Sequence, residues 1–194
     1  VCMSSQKTGS KVIVITGASS GIGKATAQAL VDEGNKVALI ARSEDKLNDL
    51  VADLGEANAF AVTADVSDFN DLEKAFSKVA QHYGHVDGVF ANAGTGAKSA
   101  GIENGDVAEW KSMLGANVNG LLYTAKLGLP LLKKTKGHFI LTSSVAGRIA
   151  LKGSVYGASK WFAYGFGQNL AEEMREWGGR CTTTCPGMVN TPFF

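Results

Sequence analysis

The sequence predicts an α/β fold, a doubly wound parallel sheet in the strand order 3-2-1-4-5-6. Three observations predict it. Apolar, β-branched runs alternate with stretches of helical composition along the whole chain. The first run leads into a glycine-rich turn and then a helix, the opening of a parallel βαβ unit. No repeat, linker or low-complexity tract divides the chain. Right-handed crossovers between parallel strands then lead to the doubly wound order, with a ligand cleft where strands one and four diverge.

Val12-Ile13-Val14-Ile15 has no polar alternation and reads as a strand buried on both faces. After it, Thr16-Gly17-Ala18-Ser19-Ser20-Gly21-Ile22-Gly23 supplies a tight turn, and residues 23–32 read as a helix that ends at Gly34. Residues 36–41, 59–64, 86–91, 138–143 and 180–185 are the remaining strand candidates. Residues 44–54, 69–83, 110–134 and 156–177 are the remaining helices. Residues 1–10 read as a polar tail and residues 11–194 as a single domain, long enough for a sizeable core.

Composition narrows the function. The chain has 194 residues, 19 Lys plus Arg against 18 Asp plus Glu, and a net charge of +1. Near-neutral charge speaks against nucleic acid as a partner. Lys133, Lys134 and Lys136 read as a solvated helix end, where cations favour the dipole. No apolar run reaches the ~20 residues of a membrane span, and Val1 to Ser10 lacks the apolar centre of a secretory signal. Cys181 and Cys185, four apart on a strand, stand about 13 Å apart, too far for a disulfide. Reduced thiols in a cytoplasmic protein are the expectation. The three histidines show no metal-ligand spacing.

Two motifs carry chemistry. The glycines at 17, 21 and 23 let the backbone approach a pyrophosphate, and the helix after them offers it unpaired N–H groups and a positive dipole end. Tyr156 and Lys160, four apart on a helix, lie on one face. A tyrosine titrates at about 10 in isolation. A unit charge ~4 Å away is worth about 4 kcal/mol, enough to lower the phenol by as much as about three pH units and let it exchange protons near neutrality.

Together the motifs resemble the short-chain dehydrogenase/reductase family. Thr16-Gly17 through Gly21-Ile22-Gly23 and Tyr156-Gly157-Ala158-Ser159-Lys160 match its two defining patterns. Ala91-Asn92-Ala93-Gly94 matches its Asn-Asn-Ala-Gly segment, with Ala91 in place of the first Asn. Asn117-Val118-Asn119-Gly120, Ser143-Ser144-Val145-Ala146-Gly147 and Pro186-Gly187 with Thr191 match further segments. The likeness runs from Lys11 to Thr191.

That resemblance implies a Rossmann fold and hydride transfer between NADP(H) and a small carbonyl or secondary alcohol substrate. It implies a catalytic set of Asn117, Ser144, Tyr156 and Lys160. Tyr156 is then the general acid and base, and Lys160 lowers its pKa and binds the nicotinamide ribose. Asn117 closes a proton relay through water to Lys160. Counting thirteen residues back from Tyr156 gives Ser143, and aligning Ser-Val-Ala-Gly gives Ser144. Neighbouring strand residues face opposite sides, so one of the two points into the site, and a loop deletion after it favours Ser144.

The cofactor contacts implied are Gly17, Ser19, Ser20, Gly21, Ile22, Gly23, Arg42, Ser43, Asp65, Val66, Asn92, Ala93, Gly94, Tyr156, Lys160, Pro186, Gly187, Val189 and Thr191. Ala41 stands where NAD-preferring members carry an acid, and Arg42 comes next, which favours a 2′-phosphate. The resemblance places a lid, a helix and a seventh strand after Phe194, outside this sequence. It also implies a homodimer or homotetramer built on helices 110–134 and 156–177. Two alternatives stand beside this reading: a silent NADP-binding regulatory protein, and a relative of the nucleotide-sugar epimerases and dehydratases.

Overall fold

The computed structural model describes residues 9–97 and 101–191. Six parallel strands form one sheet: β1 (Val12–Thr16), β2 (Lys36–Ala41), β3 (Ala59–Thr63), β4 (Gly88–Ala91), β5 (His138–Thr142) and β6 (Arg180–Thr184). Their order is β3-β2-β1-β4-β5-β6, as the alternation predicts. The helices are α1 (Gly21–Asp32), α2 (Glu44–Leu54), α3 (Phe69–Tyr83), α4 (Val107–Leu114), α5 (Gly120–Thr135) and α6 (Val155–Arg175).

The central strands are apolar because both faces are covered. One core gathers Val14, Ile40, Phe76, Val89, Leu132, Phe139 and Met174 on one side. A second gathers Ile15, Leu39, Leu47, Leu50 and Phe90 on the other. Three helices begin on side-chain caps: Asp68 accepts from Asp71 N at 2.9 Å, Asp106 from Ala108 N at 2.7 Å and Ser154 from Gly157 N at 2.9 Å.

Two expectations change. Strand and helix ends move by one or two residues, so that Cys185 lies past β6 and α6 stops at Arg175. The helix expected over 110–134 runs from Val107 to Thr135, and Gly115–Asn119 inside it is wound as a π segment. The backbone stays helical throughout, and Gly120 N bonds Gly115 O five residues back. The wider turn brings Asn117, 3% exposed, between two other segments of the chain. No helix among the described residues is long and apolar enough to cross a membrane.

Candidate active site

All five βα connections and the segment after β6 open at the carboxyl edge of the sheet, and together they wall a cleft of about 650 Å³. Every residue named from the sequence lines it except Gly23 and Asn117.

The glycine turn forms one end. Gly17 has φ +67°, and a Cβ there would sit 2.8 Å from Ala93 Cα, so the turn needs glycine twice over. Gly23 faces away from the cleft. A Cβ on it would run into Gly17 O and come within 2.9 Å of Asn92 Nδ2. It packs helix against turn, where only a glycine fits. Ser20 caps α1 in extended conformation without a side-chain cap bond, and no acid stands in the first turn. The α1 terminus therefore presents its N–H groups to the cleft, which suits a phosphate.

Arg42 and Ser43 lie at the end of β2 beside Ala41. Asp65 commits its carboxylate to the turn, accepting from Ser67 N at 2.9 Å and Ser67 Oγ at 2.8 Å, and its N–H donates to Asp71. Asn92 clamps three strands: its backbone N–H donates to Thr16 Oγ1 at 3.1 Å, its amide donates to Thr16 O at 3.3 Å, and Thr142 Oγ1 donates to it at 3.3 Å. These residues fit a nicotinamide dinucleotide, with the phosphate-binding turn, a cation at one ribose and proton donors at the far end.

At that far end Ser143 and Ser144 part ways. Ser143 Oγ donates to Lys160 O at 2.7 Å, tying β5 to α6. Ser144 accepts from Ala146 N at 3.1 Å and hydrogen-bonds the Tyr156 phenol. The chain just past β5 thus aims Ser144, not Ser143, at the tyrosine. Tyr156 and Lys160 share the first turns of α6, but the ammonium lies 5.8 Å from the ring centroid and donates to Thr142 O at 3.0 Å. The expected lowering of the phenol by Lys160 is not what the geometry produces. Burial pushes the Tyr156 pKa up, and the Ser144 bond pulls against it. Burial also lowers Lys160 to about 8.

Asn117 sits behind the cleft wall. Its amide donates to Thr95 O at 2.9 Å and Ser159 Oγ at 3.0 Å, and its Oδ1 accepts from Thr95 N at 2.8 Å. Both amide hydrogens are used, so only oxygen acceptors are left to meet a relay water. Sequence reasoning missed Thr95, Ser112, Thr142, Leu151 and Met188, which also line the cleft. Thr142 was within reach, as the residue before the serine pair at a strand end. Ser112 and Leu151 carry no sequence signal, since only the packing of α4 and the loop before α6 turns them inward.

The short chain dehydrogenase family model matches residues 11–194. An uncharacterized oxidoreductase of Staphylococcus epidermidis is 38% identical over 188 residues, 96% of this chain and 81% of that protein. An alcohol dehydrogenase from the archaeon Thermococcus sibiricus, solved with 5-hydroxy-NADP, superposes with a TM-score of 0.89 at 35% identity, covering 94% of this chain and 78% of that one. A 3-ketoacyl-(acyl-carrier-protein) reductase from Brucella melitensis, solved with NADH, gives 0.89 at 28% identity, covering 94% and 78%. With six parallel strands in the same order and the family's glycine turn and Tyr-Lys helix in place, this chain is an oxidoreductase of the short-chain dehydrogenase family.

Proposed function

We propose that the protein transfers hydride between NADP(H) and a small carbonyl or secondary alcohol, with Tyr156 as general acid and base. The observation that carries this reading is one cleft with Arg42 next to Ala41 at one end and Ser144, Tyr156 and Lys160 at the other. The cofactor, when bound, supplies or accepts the hydride. The residues of the chain do the rest.

Gly17, Ser19, Ser20, Gly21 and Ile22 hold the pyrophosphate at the α1 terminus. Arg42 and Ser43 select the 2′-phosphate, with Ala41 removing the repulsion an acid would bring. Asp65 and Val66 border the adenine, and Asn92, Ala93 and Gly94 shape the floor. Pro186 and Gly187 border the nicotinamide side, and Val189 and Thr191 close over the glycine turn, with Thr191 against Gly21. Ser144 orients the substrate oxygen toward Tyr156, which gives up its phenolic proton during reduction and takes one during oxidation. Lys160 holds the ribose and passes a proton onward, with Asn117 offering an oxygen to the relay water. The protein is proposed to be cytoplasmic and to work as a homodimer or homotetramer.

The test is NADPH oxidation against ketones, quinones, sugars and acyl thioesters. Turnover of a carbonyl, faster with NADPH than with NADH, is the expected result. Tight NADPH binding with no turnover on any class would overturn the catalytic reading.

A further inference from the structure

Resting on that reading of the site, we propose that Ser159 is a positioning residue of the reaction: its hydroxyl fastens the Asn117 amide to the Tyr156 carbonyl and so holds the π segment and the active face of α6 in register. Ser159 is 2% exposed. Its Oγ donates to Tyr156 O at 2.7 Å and accepts from Asn117 Nδ2 at 3.0 Å. A serine bonding a carbonyl one helical turn back is commonplace. A bond from an amide 42 residues away, equally buried, is not a local habit of the helix.

The bonding capacities are matched. Asn117 has two amide hydrogens, and they go to Thr95 O and Ser159 Oγ. The hydroxyl has one hydrogen, and it goes to Tyr156 O. With the bond from Thr95 N to Asn117 Oδ1, four hydrogen bonds join the loop after β4, the π segment and the first turns of α6. Among the residues in this bridge whose side chains take part, only Asn117 was singled out by its sequence motif. Ser159 supplies the contact that couples it to the helix of Tyr156 and Lys160.

The bridge reaches the chemistry through Gly94. A Cβ on Gly94 would lie 2.9 Å from Asn117 Oδ1 and 3.4 Å from Lys160 Nζ, so the amide oxygen and the ammonium crowd the same spot. Removing the Ser159 hydroxyl leaves a buried amide hydrogen unpaired, and the amide, still held by its two bonds to Thr95, shifts away from α6. The oxygen then leaves the neighbourhood of the ammonium, which loses a stabilising dipole. Deprotonation of Lys160 becomes easier, and the alkaline limb of the rate profile moves to lower pH.

The experiment compares Ser159→Ala, Ser159→Cys and Ser159→Thr with the wild type, on a carbonyl that the wild type reduces with NADPH. Cysteine keeps the volume but bonds weakly, and threonine keeps the hydroxyl. Ala and Cys are expected to lose about tenfold in kcat, the scale of one buried hydrogen bond, with the NADPH Kd held within about twofold. Both should shift the alkaline limb downward, and Thr should recover at least part of the rate. In an Asn117→Ala background, Ser159→Ala should cost little more, because it acts through the missing amide. Wild-type kcat and pH profile in Ser159→Cys would reduce the serine to packing and overturn the proposal. Full additivity with Asn117→Ala would overturn it too. A wild type that binds NADPH but reduces no carbonyl overturns the reading of the site, and this inference with it.

Discussion

Tyr156 and Lys160 make opposite demands on their surroundings. Burial keeps the phenol protonated and strips the ammonium of solvation. A phenol held above its ordinary pKa stays protonated at neutral pH, in the form that reduction uses and not the form that oxidation needs. Reduction is therefore expected to stay fast through neutral pH, whereas alcohol oxidation climbs as pH rises. Initial rates in both directions across the pH range check this. Tyr156→Phe removes only the proton in flight, so kcat should fall by a thousandfold or so, within the usual ~10²–10⁴ range, while NADPH binding by fluorescence titration stays near wild type.

Lys160 carries a stability consequence. Its folded pKa of about 8 lies below the ordinary lysine value of 10.5. Between those values the unfolded chain binds a proton that the folded chain has released, so stability rises with pH across that window. Below about 8 the full cost of burying the ammonium applies, roughly 3 kcal/mol. Lys160→Met should raise the urea midpoint at neutral pH and flatten its rise toward alkaline pH. An unchanged pH slope would show that other groups set it.

At the scale of elements, the proposed cofactor preference rests on the end of β2, and the proposed relay rests on the π segment. Ala41→Asp with Arg42→Ala places an acid where a ribose 2′-hydroxyl would bind and removes the cation. The expected outcome is a reversal of the kcat/KM ratio toward NADH, and a wild type already as efficient with NADH would sink the assignment. Gly94→Ala puts a Cβ 2.9 Å from Asn117 Oδ1, closer than real Cβ contacts come. Asn117 or Lys160 must move, and the expected result is a large loss of kcat with the fold intact by circular dichroism. The helix around Asn117 was legible as a helix, since its apolar pattern is continuous. Its π winding was not. The winding goes with bonds from Asn117 to Thr95 and Ser159, which lie 22 and 42 residues away and which local spacing does not signal.

At the scale of the whole molecule, one face of α6 is left over. Ala158, Trp161, Phe162 and Gly165 recur at helical spacing and are exposed, Trp161 at 48%. The glycines of α6 divide by cause. Gly167 is demanded by Thr183 and Leu141 of its own sheet, and Gly157 packs on Ser154 and Ala146, whereas a Cβ on Gly165 would meet nothing within 4 Å. A second copy of the helix across a twofold axis would use the open glycine and cover the aromatics. Light scattering at micromolar concentration should give a dimer or tetramer, and Phe162→Asp should shift it toward monomer. A stable wild-type monomer would refute the assembly.

The sequence by itself determined the parallel sheet and its order, because strands buried on both faces must be apolar and crossovers must be right-handed. It also determined which segments meet at the carboxyl edge, and it placed a tyrosine and a lysine on one helical face. Local spacing decides those matters. Tertiary structure decided how closely Gly23 packs on the turn, and it put Ser144, the serine that the motif favoured, in hydrogen-bond reach of the phenol. It also decided that Lys160 bonds Thr142 and that Ser159 joins Asn117 to α6. Each of these depends on how far apart two segments come to rest and which way a side chain leans across the gap. Residue spacing along one element does not encode a distance to another.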